Sequence, residues 1–133
     1  MYRESKETIY SDIPLSFTAH PVNGNIVLVK NSESIKQSVK NIVLTNFYER
    51  PYNIFFGGNL IAQLFENLDS SYTKFLIRDD IERAIRNNEP RAELLNVGVL
   101  PDYDRNALNV TVKFIPINES APVDVEIVIE RTR

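Results

Sequence analysis

The spacing of apolar side chains changes once along the chain, near Pro90. Before this point apolar residues recur mainly at the helical spacings of three and four, and after it they alternate with polar residues at a spacing of two. Helices and strands that are segregated in this way, rather than alternating, predict an α+β fold and not a doubly wound parallel sheet.

Three helices are predicted before Pro90. The first is expected over about 33–46, and Ser34 with Gln37 could form a capping box at its start. A second, short helix could be capped by Asn59 and end near Asn67. The third is capped by Ser70 or Ser71 and ends near Asn88, because a residue that precedes proline is disfavoured in the helical region. The side chains that set the period of the first helix are Ile35, Val39, Ile42 and Val43.

Strands are predicted on both sides of the helices. Asn23-Gly24 is a strong hairpin signal between Phe17 and Lys30, and Pro21 limits the first hairpin strand to a sheet edge. Three alternating stretches after Pro90 predict an antiparallel meander, the first with Leu95, Val97 and Val99 on one face, the others at 108–116 and from Val123 to the end. We therefore expect an N-terminal β-hairpin, three helices and a C-terminal three-stranded meander that form one mixed-order sheet packed by helices. The predicted division is an arm, 1–14, and a single domain, 15–133.

Composition narrows the possible functions. Lys and Arg number 15 and Asp and Glu number 18, so the net charge is −3, and the chain lacks the basic field that binds nucleic acid. No stretch approaches the ~18 apolar residues of a membrane span, and the polar N-terminus has no signal-peptide pattern. The absence of cysteine excludes disulfides, thiolate metal sites and cysteine nucleophiles. We expect no cofactor, no metal, no nucleic-acid partner and no membrane partner.

Few residues offer catalytic chemistry. His20 is the single histidine and has no nucleophile motif around it, so a plain hairpin histidine is expected. The Asp102-x-Asp104-x-Asn106 stretch resembles the start of a calcium loop but lacks the required glycine and the final glutamate. Paired carboxylates need neither His nor Cys, so a muramidase-like glycosidase acting on peptidoglycan stays open as the alternative function. The candidate acids are Glu49, Glu66, Asp69, Asp79, Asp80, Glu82 and Glu89.

Two features suggest docking to other proteins instead. In Glu89-Pro90-Arg91, proline holds its neighbours extended, so a carboxylate and a guanidinium lie on the same side of a stiff backbone. The bland interpretation is a helix stop followed by a surface salt bridge. The second feature is the last strand, which has no later element to cover it and could pair with a strand of another chain. Its bland interpretation is an edge strand protected by its acidic residues.

Several separated motifs follow one another along the chain. They are Ser11-Asp12-Ile13, 34–38, Arg50-Pro51-Tyr52 leading to Phe56-Gly57, Leu60 with 63–67, and 81–91, followed by Val97, Val99, Pro101 and Tyr103. In order and spacing these motifs resemble the baseplate wedge or sheath-initiator proteins of contractile-tailed phages, a family shared with type VI secretion baseplates and contractile bacteriocins. The resemblance covers about 9–130.

This resemblance implies a structural subunit of a virion tail baseplate, not an enzyme, assembled in the host cytoplasm. The implied partners are other baseplate wedge proteins and the tail sheath protein, with tail tube or hub proteins nearby and multiple copies in a symmetric ring. Glu89, Pro90 and Arg91 would dock on the wedge core. The sheath would be templated by strand pairing at Val123, Val125, Ile127, Ile129, Val110 and Val112. A free-standing acidic adaptor outside any tail is a third, weaker hypothesis.

Overall fold

Helices and strands follow the predicted order in the computed structural model, which describes residues 10–64 and 70–130. The α+β class, with an N-terminal hairpin, three helices and a C-terminal antiparallel sheet, is confirmed. No helix within the described ranges combines the length and apolar character that crossing a membrane requires. The elements are β1 (Ser11–Asp12), β2 (Val29–Lys30), α1 (Ser32–Leu44), α2 (Leu60–Gln63), α3 (Ser71–Asn88), β3 (Ala92–Asp102), β4 (Ala107–Pro116) and β5 (Val123–Glu130).

The two long helices begin and end close to the predicted positions. At the start of α3 the Ser70 hydroxyl accepts a hydrogen bond from the Tyr72 N–H at 3.2 Å, and the helix ends at Asn88. The capping box predicted for α1 is wrong. Asn31 occupies the N-cap position instead, and Ser34 is buried inside the helix. The Gln37 amide donates to the Ile13 carbonyl at 2.7 Å, because the chain entering the hairpin lies beside this turn of α1.

The short helix α2 differs from its prediction at its start. Asn59 precedes it with a left-handed backbone, φ 50° and ψ 36°, and its side chain makes no cap hydrogen bond. The helix extends over Leu60–Gln63. The predicted end near Asn67 lies outside the described residues.

The C-terminal sheet has the order β3-β4-β5, with both neighbours antiparallel to the central strand β4. Val110 pairs with Val99 on one side and with Ile127 on the other, which aligns the inward-facing side chains of the three strands. Helix α3 packs against β3 and α1 packs against β5, so the core lies between one face of the sheet and the two helices.

A β-bulge corrects one detail of the predicted strand pattern. The register shifts between Leu94 and Asn96, and this shift turns Leu95 to the solvent side, where it is 50% exposed. Leu95 therefore does not share a face with Val97, which is 2% exposed.

The N-terminal hairpin does not join the C-terminal sheet, which corrects the expectation of one mixed-order sheet. Among the residues that the structure describes, strands β1 and β2 pair only with each other, and one isolated bridge joins Ala19 to Ile26 across the Asn23-Gly24 turn. Nearly all of 11–28 is exposed, so this segment has no buried apolar face with which to dock on a sheet. The predicted arm, 1–14, includes β1, and its division from the domain stays a prediction.

Candidate functional site

A buried ion pair between Glu89 and Arg91 lies at the junction of α3 and β3. Arg91 Nε donates to Glu89 Oε1 and Arg91 Nη2 donates to Glu89 Oε2, both at 2.7 Å, and the Arg91 backbone N–H lies 3.3 Å from Oε1. Glu89 is only 2% exposed, whereas the Arg91 side chain keeps 29% of its surface. The pair is therefore a buried, bidentate brace and not a flexible surface salt bridge.

Local backbone geometry brings these two side chains together. Glu89 leaves the helix with φ −130° and ψ 81°, a non-helical conformation consistent with the effect of the following Pro90, while its N–H still donates to Ile85 O at 2.8 Å. The chain does not continue extended, as the sequence suggested, but turns. The Ala92 N–H donates to Glu89 O at 3.3 Å and closes that turn.

The protonation of the brace follows from opposing effects. Burial alone raises the pKa of Glu89, but hydrogen bonds from Arg91 and Ser38, together with the positive charge of Arg91, outweigh it and hold the pKa below its ordinary value. The hydrogen bond to Glu89 raises the pKa of Arg91. Both groups are therefore charged at neutral pH.

Two supporting side chains were not identified from the sequence. Ser38 reaches Glu89 from α1, and the ring of Tyr10, which precedes β1, lies with its centroid 5.0 Å from Arg91 Cζ. The helical period places Ser38 beside the buried stripe of α1, but no spacing signal connects it with a residue 51 positions later. Contacts of this kind are visible only in the folded chain.

An open cleft of about 390 Å³ begins at this brace. Its walls come from the brace, from α1 and from the loop that follows α1, where Arg50 stacks on Phe56 with Cζ 3.7 Å from the ring centroid. Asp12 of β1 also lines the cleft. The site thus combines a neutralised ion pair with additional polar groups on the same surface.

The six residues expected to pair with the sheath lie mostly in the core. Val110, Val112, Val125, Ile127 and Ile129 are all at most 8% exposed, and Val123 is half-buried against the same cluster. Their side chains hold the sheet on the helices. Contact with another strand would instead use the backbone.

Of the two strands expected to pair, β4 is central and β5 lies at an edge of the sheet, whose other edge is β3. Strand β4 has neighbours on both sides, so the backbone at Val110 and Val112 is already paired, and this part of the expectation does not fit the topology. Within the described part of the chain, β5 has a neighbour on one side alone. A groove of about 410 Å³ lies beside it, lined by Asp124, Val125 and Glu126 of β5, by Lys36 and Lys40 of α1, and by Pro14, Leu15 and Ser16 of the hairpin.

The described acidic residues do not form a glycosidase site. Asp79, Asp80 and Glu82 form ion pairs with arginines of the same helix, α3. Burial raises the pKa of Glu89, but the hydrogen bonds from Arg91 and Ser38 and the charge of Arg91 outweigh it and leave this pKa lowered, whereas a general acid needs a raised pKa. Hydrogen bonds from Asn46 also lower the pKa of Glu49. Glu66 and Asp69 lie outside the described residues.

The remaining candidate groups are local turn features. His20 Nδ1 accepts the Val22 N–H at 3.2 Å, and Asp102 Oδ1 lies 3.3 Å from the Arg105 N–H in the β3–β4 turn. Within 10–64 and 70–130, no three His, Asp or Glu side chains come together as a metal site.

Comparisons with known proteins agree on one family. The family model described as baseplate wedge protein gp25 matches residues 29–119. Baseplate wedge protein gp25 of Enterobacteria phage T4 is 41% identical over 93 residues, which are 70% of this chain and 68% of the T4 protein.

Two solved structures have a similar fold. A crystal structure from Geobacter sulfurreducens, described as a candidate tail lysozyme, superposes with a TM-score of 0.71 and 23% identity over 81% of this chain and 97% of that chain. A chain in the cryo-EM structure of the anti-feeding prophage baseplate gives a TM-score of 0.62 and 24% identity over 90% of this chain and 83% of that chain. At these identities the similarity is evidence for the fold alone.

Proposed function

The chain belongs to the family of baseplate wedge protein gp25, and we propose that it docks on the wedge core of a contractile phage tail and starts the sheath by strand pairing. Family membership makes it a structural baseplate wedge protein and not an enzyme. A muramidase-like activity is not proposed.

The open edge of β5 is the observation that carries the sheath role. An edge strand presents unpaired backbone N–H and C=O groups, which another strand can satisfy. The groove of about 410 Å³ reaches Asp124, Val125 and Glu126 of β5, so this part of the strand borders open space that another segment could enter. The proposed ligand is therefore an extended segment of the tail sheath protein.

The docking role is supported by the rigidity of the brace. Glu89 is too buried to contact a partner, so its proposed role is to hold Arg91, whereas exposed Pro90 and the open part of Arg91 would form the contact. A guanidinium fixed by two hydrogen bonds loses little freedom on binding, which favours a specific interface. The proposed ligand is the wedge core formed by other baseplate wedge proteins.

The wider assembly is also part of the proposal. Multiple copies would lie in a symmetric ring in the virion tail baseplate, with tail tube or hub proteins nearby, and assembly would take place in the host cytoplasm. In this arrangement the two surfaces act in sequence, first docking to the wedge and then starting the sheath.

Filling the β5 groove tests the sheath role without damaging the core. Removal of 123–133 would delete buried side chains of β5, so K40W, which places an indole in the groove, is the better variant. The control is R86W. It also replaces an exposed cation of a long helix with tryptophan, but Arg86 lies on α3 and does not line the groove. Electron microscopy of assembled tails should show wedges that contain K40W but start no sheath, whereas R86W should behave as wild type. Normal sheaths on K40W wedges would contradict the strand-pairing proposal.

The docking role is tested separately with E89Q and R91K. E89Q keeps the shape of the Glu89 side chain and removes its charge, whereas R91K keeps the positive charge and removes the planar guanidinium that makes two parallel hydrogen bonds. Each should remain folded by circular dichroism yet co-purify poorly with the other wedge proteins. Wild-type incorporation of both variants would overturn this role and leave the sheath role standing.

A further inference from the structure

Arg50 is the second arginine of the cleft, and its situation differs from that of Arg91. Its side chain is exposed, and every ion pair found among the described residues involves other groups. The neighbouring Glu49 is already engaged, since its carboxylate accepts the Asn46 amide at 2.8 Å. Arg50 is therefore a cleft cation with no carboxylate partner in the described chain.

Stacking fixes the position of this cation. The guanidinium carbon of Arg50 lies 3.7 Å from the centroid of the Phe56 ring, well within the range of a cation–π contact. Phe56 itself packs against the hydrophobic core, so the ring forms a rigid base rather than a mobile surface group. One face of the guanidinium is covered, and its hydrogen-bonding edge stays available.

The backbone after Phe56 makes this base rigid. Gly57 has φ +115°, and a Cβ at this position would overlap the Thr45 carbonyl, so only glycine allows the loop to lie so close to the end of α1. The Gly58 N–H then donates to Ile42 O and Thr45 O, both at 3.1 Å. The loop that presents Arg50 is thus anchored to the same helix that supplies Ser38 to the brace.

The charges of the cleft indicate what the edge of Arg50 can bind. Arg91 and Glu89 satisfy each other through two hydrogen bonds of 2.7 Å. Asp12 Oδ1 accepts the Ile13 N–H at 2.8 Å within its own turn. Of the cations that line the cleft, Arg50 is the one without an ionic partner within 10–64 and 70–130, and a planar guanidinium with a free edge fits a carboxylate bidentately.

We propose that Arg50 is a specificity-determining contact of the wedge-docking cleft and binds an Asp or Glu carboxylate on an acidic segment of another baseplate wedge protein. The inference rests on the proposed docking function and adds to it the chemistry of the partner. The brace sets the geometry of the cleft, and Arg50 selects a carboxylate in it.

Binding measurements on three variants test this proposal. R50Q removes the charge at similar length, R50K keeps the charge without the planar fork, and F56L keeps an apolar side chain without the aromatic face. The matched control is R105Q, which removes an exposed arginine from the β3–β4 turn. The probe is the complex of the other baseplate wedge proteins of the same particle, purified without this chain and titrated at several NaCl concentrations.

The proposal predicts a ranked set of affinities. R50Q should bind about tenfold or more weakly, because it loses a charge-assisted hydrogen-bonded pair. R50K and F56L should each bind about threefold more weakly, because the planar guanidinium shape and the Phe56 ring beneath it contribute less to binding than the charge does. The dependence on NaCl should be shallower for R50Q than for wild type, and R105Q should match wild type.

The other outcomes separate the two proposals. If R50Q binds like wild type while R91K does not, the Arg50 inference is wrong and the docking function stands. If R50Q and R91K both bind like wild type, the docking function itself fails. Weaker binding of R50Q with an unchanged NaCl dependence would exclude a carboxylate as the ligand. Suppressors of R50E that exchange Asp or Glu for Lys or Arg in a wedge protein would identify the paired residue.

Discussion

The brace and the β5 edge satisfy their polar groups in opposite ways. At the brace, a carboxylate that is 2% exposed has its hydrogen bonds from Arg91 and Ser38 within the same chain. At β5, one side of the strand has no neighbour in the described structure, although its buried side chains hold the strand firmly on the core. A surface whose polar groups are already hydrogen-bonded within the chain can present fixed contacts. A strand edge with unpaired backbone groups instead obtains its hydrogen bonds from the partner that binds to it.

The largest expected effect comes from opening the brace. R91A leaves the Glu89 carboxylate buried without its main partner, and breaking a buried ion pair in this way costs about 3–5 kcal/mol. Urea unfolding measures this loss in the free energy of unfolding. E93A, at an exposed acid on the neighbouring strand, should stay within about 0.5 kcal/mol of wild type. If R91A lowers the free energy of unfolding by less than about 1 kcal/mol, the brace contributes no more than an exposed ion pair.

A pair of glycine substitutions extends the comparison to the backbone. G57A places a Cβ against the Thr45 carbonyl at φ +115° and should cost about 2–3 kcal/mol. G98A, on β3, meets Thr111 atoms at 3.8 Å, an ordinary contact, and should stabilise the sheet by about 0.5 kcal/mol. Thermal unfolding of both variants checks the opposite signs. If G57A and G98A change the thermal stability equally, the backbone of the loop after α1 is no more constrained than that of the sheet.

The period of apolar residues predicted the elements better than it predicted their packing. The spacing on α1 and the proline after α3 fixed two long helices to within two residues. The bulge at Leu95 escaped prediction because a register shift leaves no signal in strand periodicity. The Asn-Gly turn is a local signal and predicts a hairpin, but it does not determine whether the hairpin joins a sheet. Joining requires a buried apolar face, which this segment lacks.

The candidate site was predictable in part for a similar reason. Glu89 and Arg91 are two residues apart around a proline, so their proximity is a local property of the chain. Ser38, Tyr10 and Arg50 join them through tertiary contacts, which no local spacing encodes. Likewise, the alternation of β5 indicated a strand, but only the strand order excludes β4 as the pairing edge.

Acid should weaken the brace. Its hydrogen bonds hold the pKa of Glu89 below the ordinary value of 4.5 despite burial, which acts in the opposite direction. A carboxyl group with a lower pKa in the folded state stabilises the protein above pH 4.5 and loses this contribution as the pH falls through the folded pKa. Denaturation curves from pH 7 downward should therefore show a steeper loss below pH 4.5 for wild type than for E89Q. Parallel curves would place the acid-sensitive group elsewhere.

The smallest effect is expected from the exposed ion pair beside the β5 edge. Lys113 Nζ lies 3.7 Å from Asp124 Oδ1 across the β4–β5 pairing, and both side chains are about half exposed. Such pairs contribute about 0.2–1 kcal/mol, because water and salt screen them and two long side chains lose freedom. A double-mutant cycle of K113A and D124A should give a coupling in this range that disappears in 1 M NaCl, whereas the coupling between Glu89 and Arg91 should persist. A large, salt-resistant coupling at Lys113 would mean that this exposed pair between β4 and β5 is as strongly coupled as the buried pair of the brace.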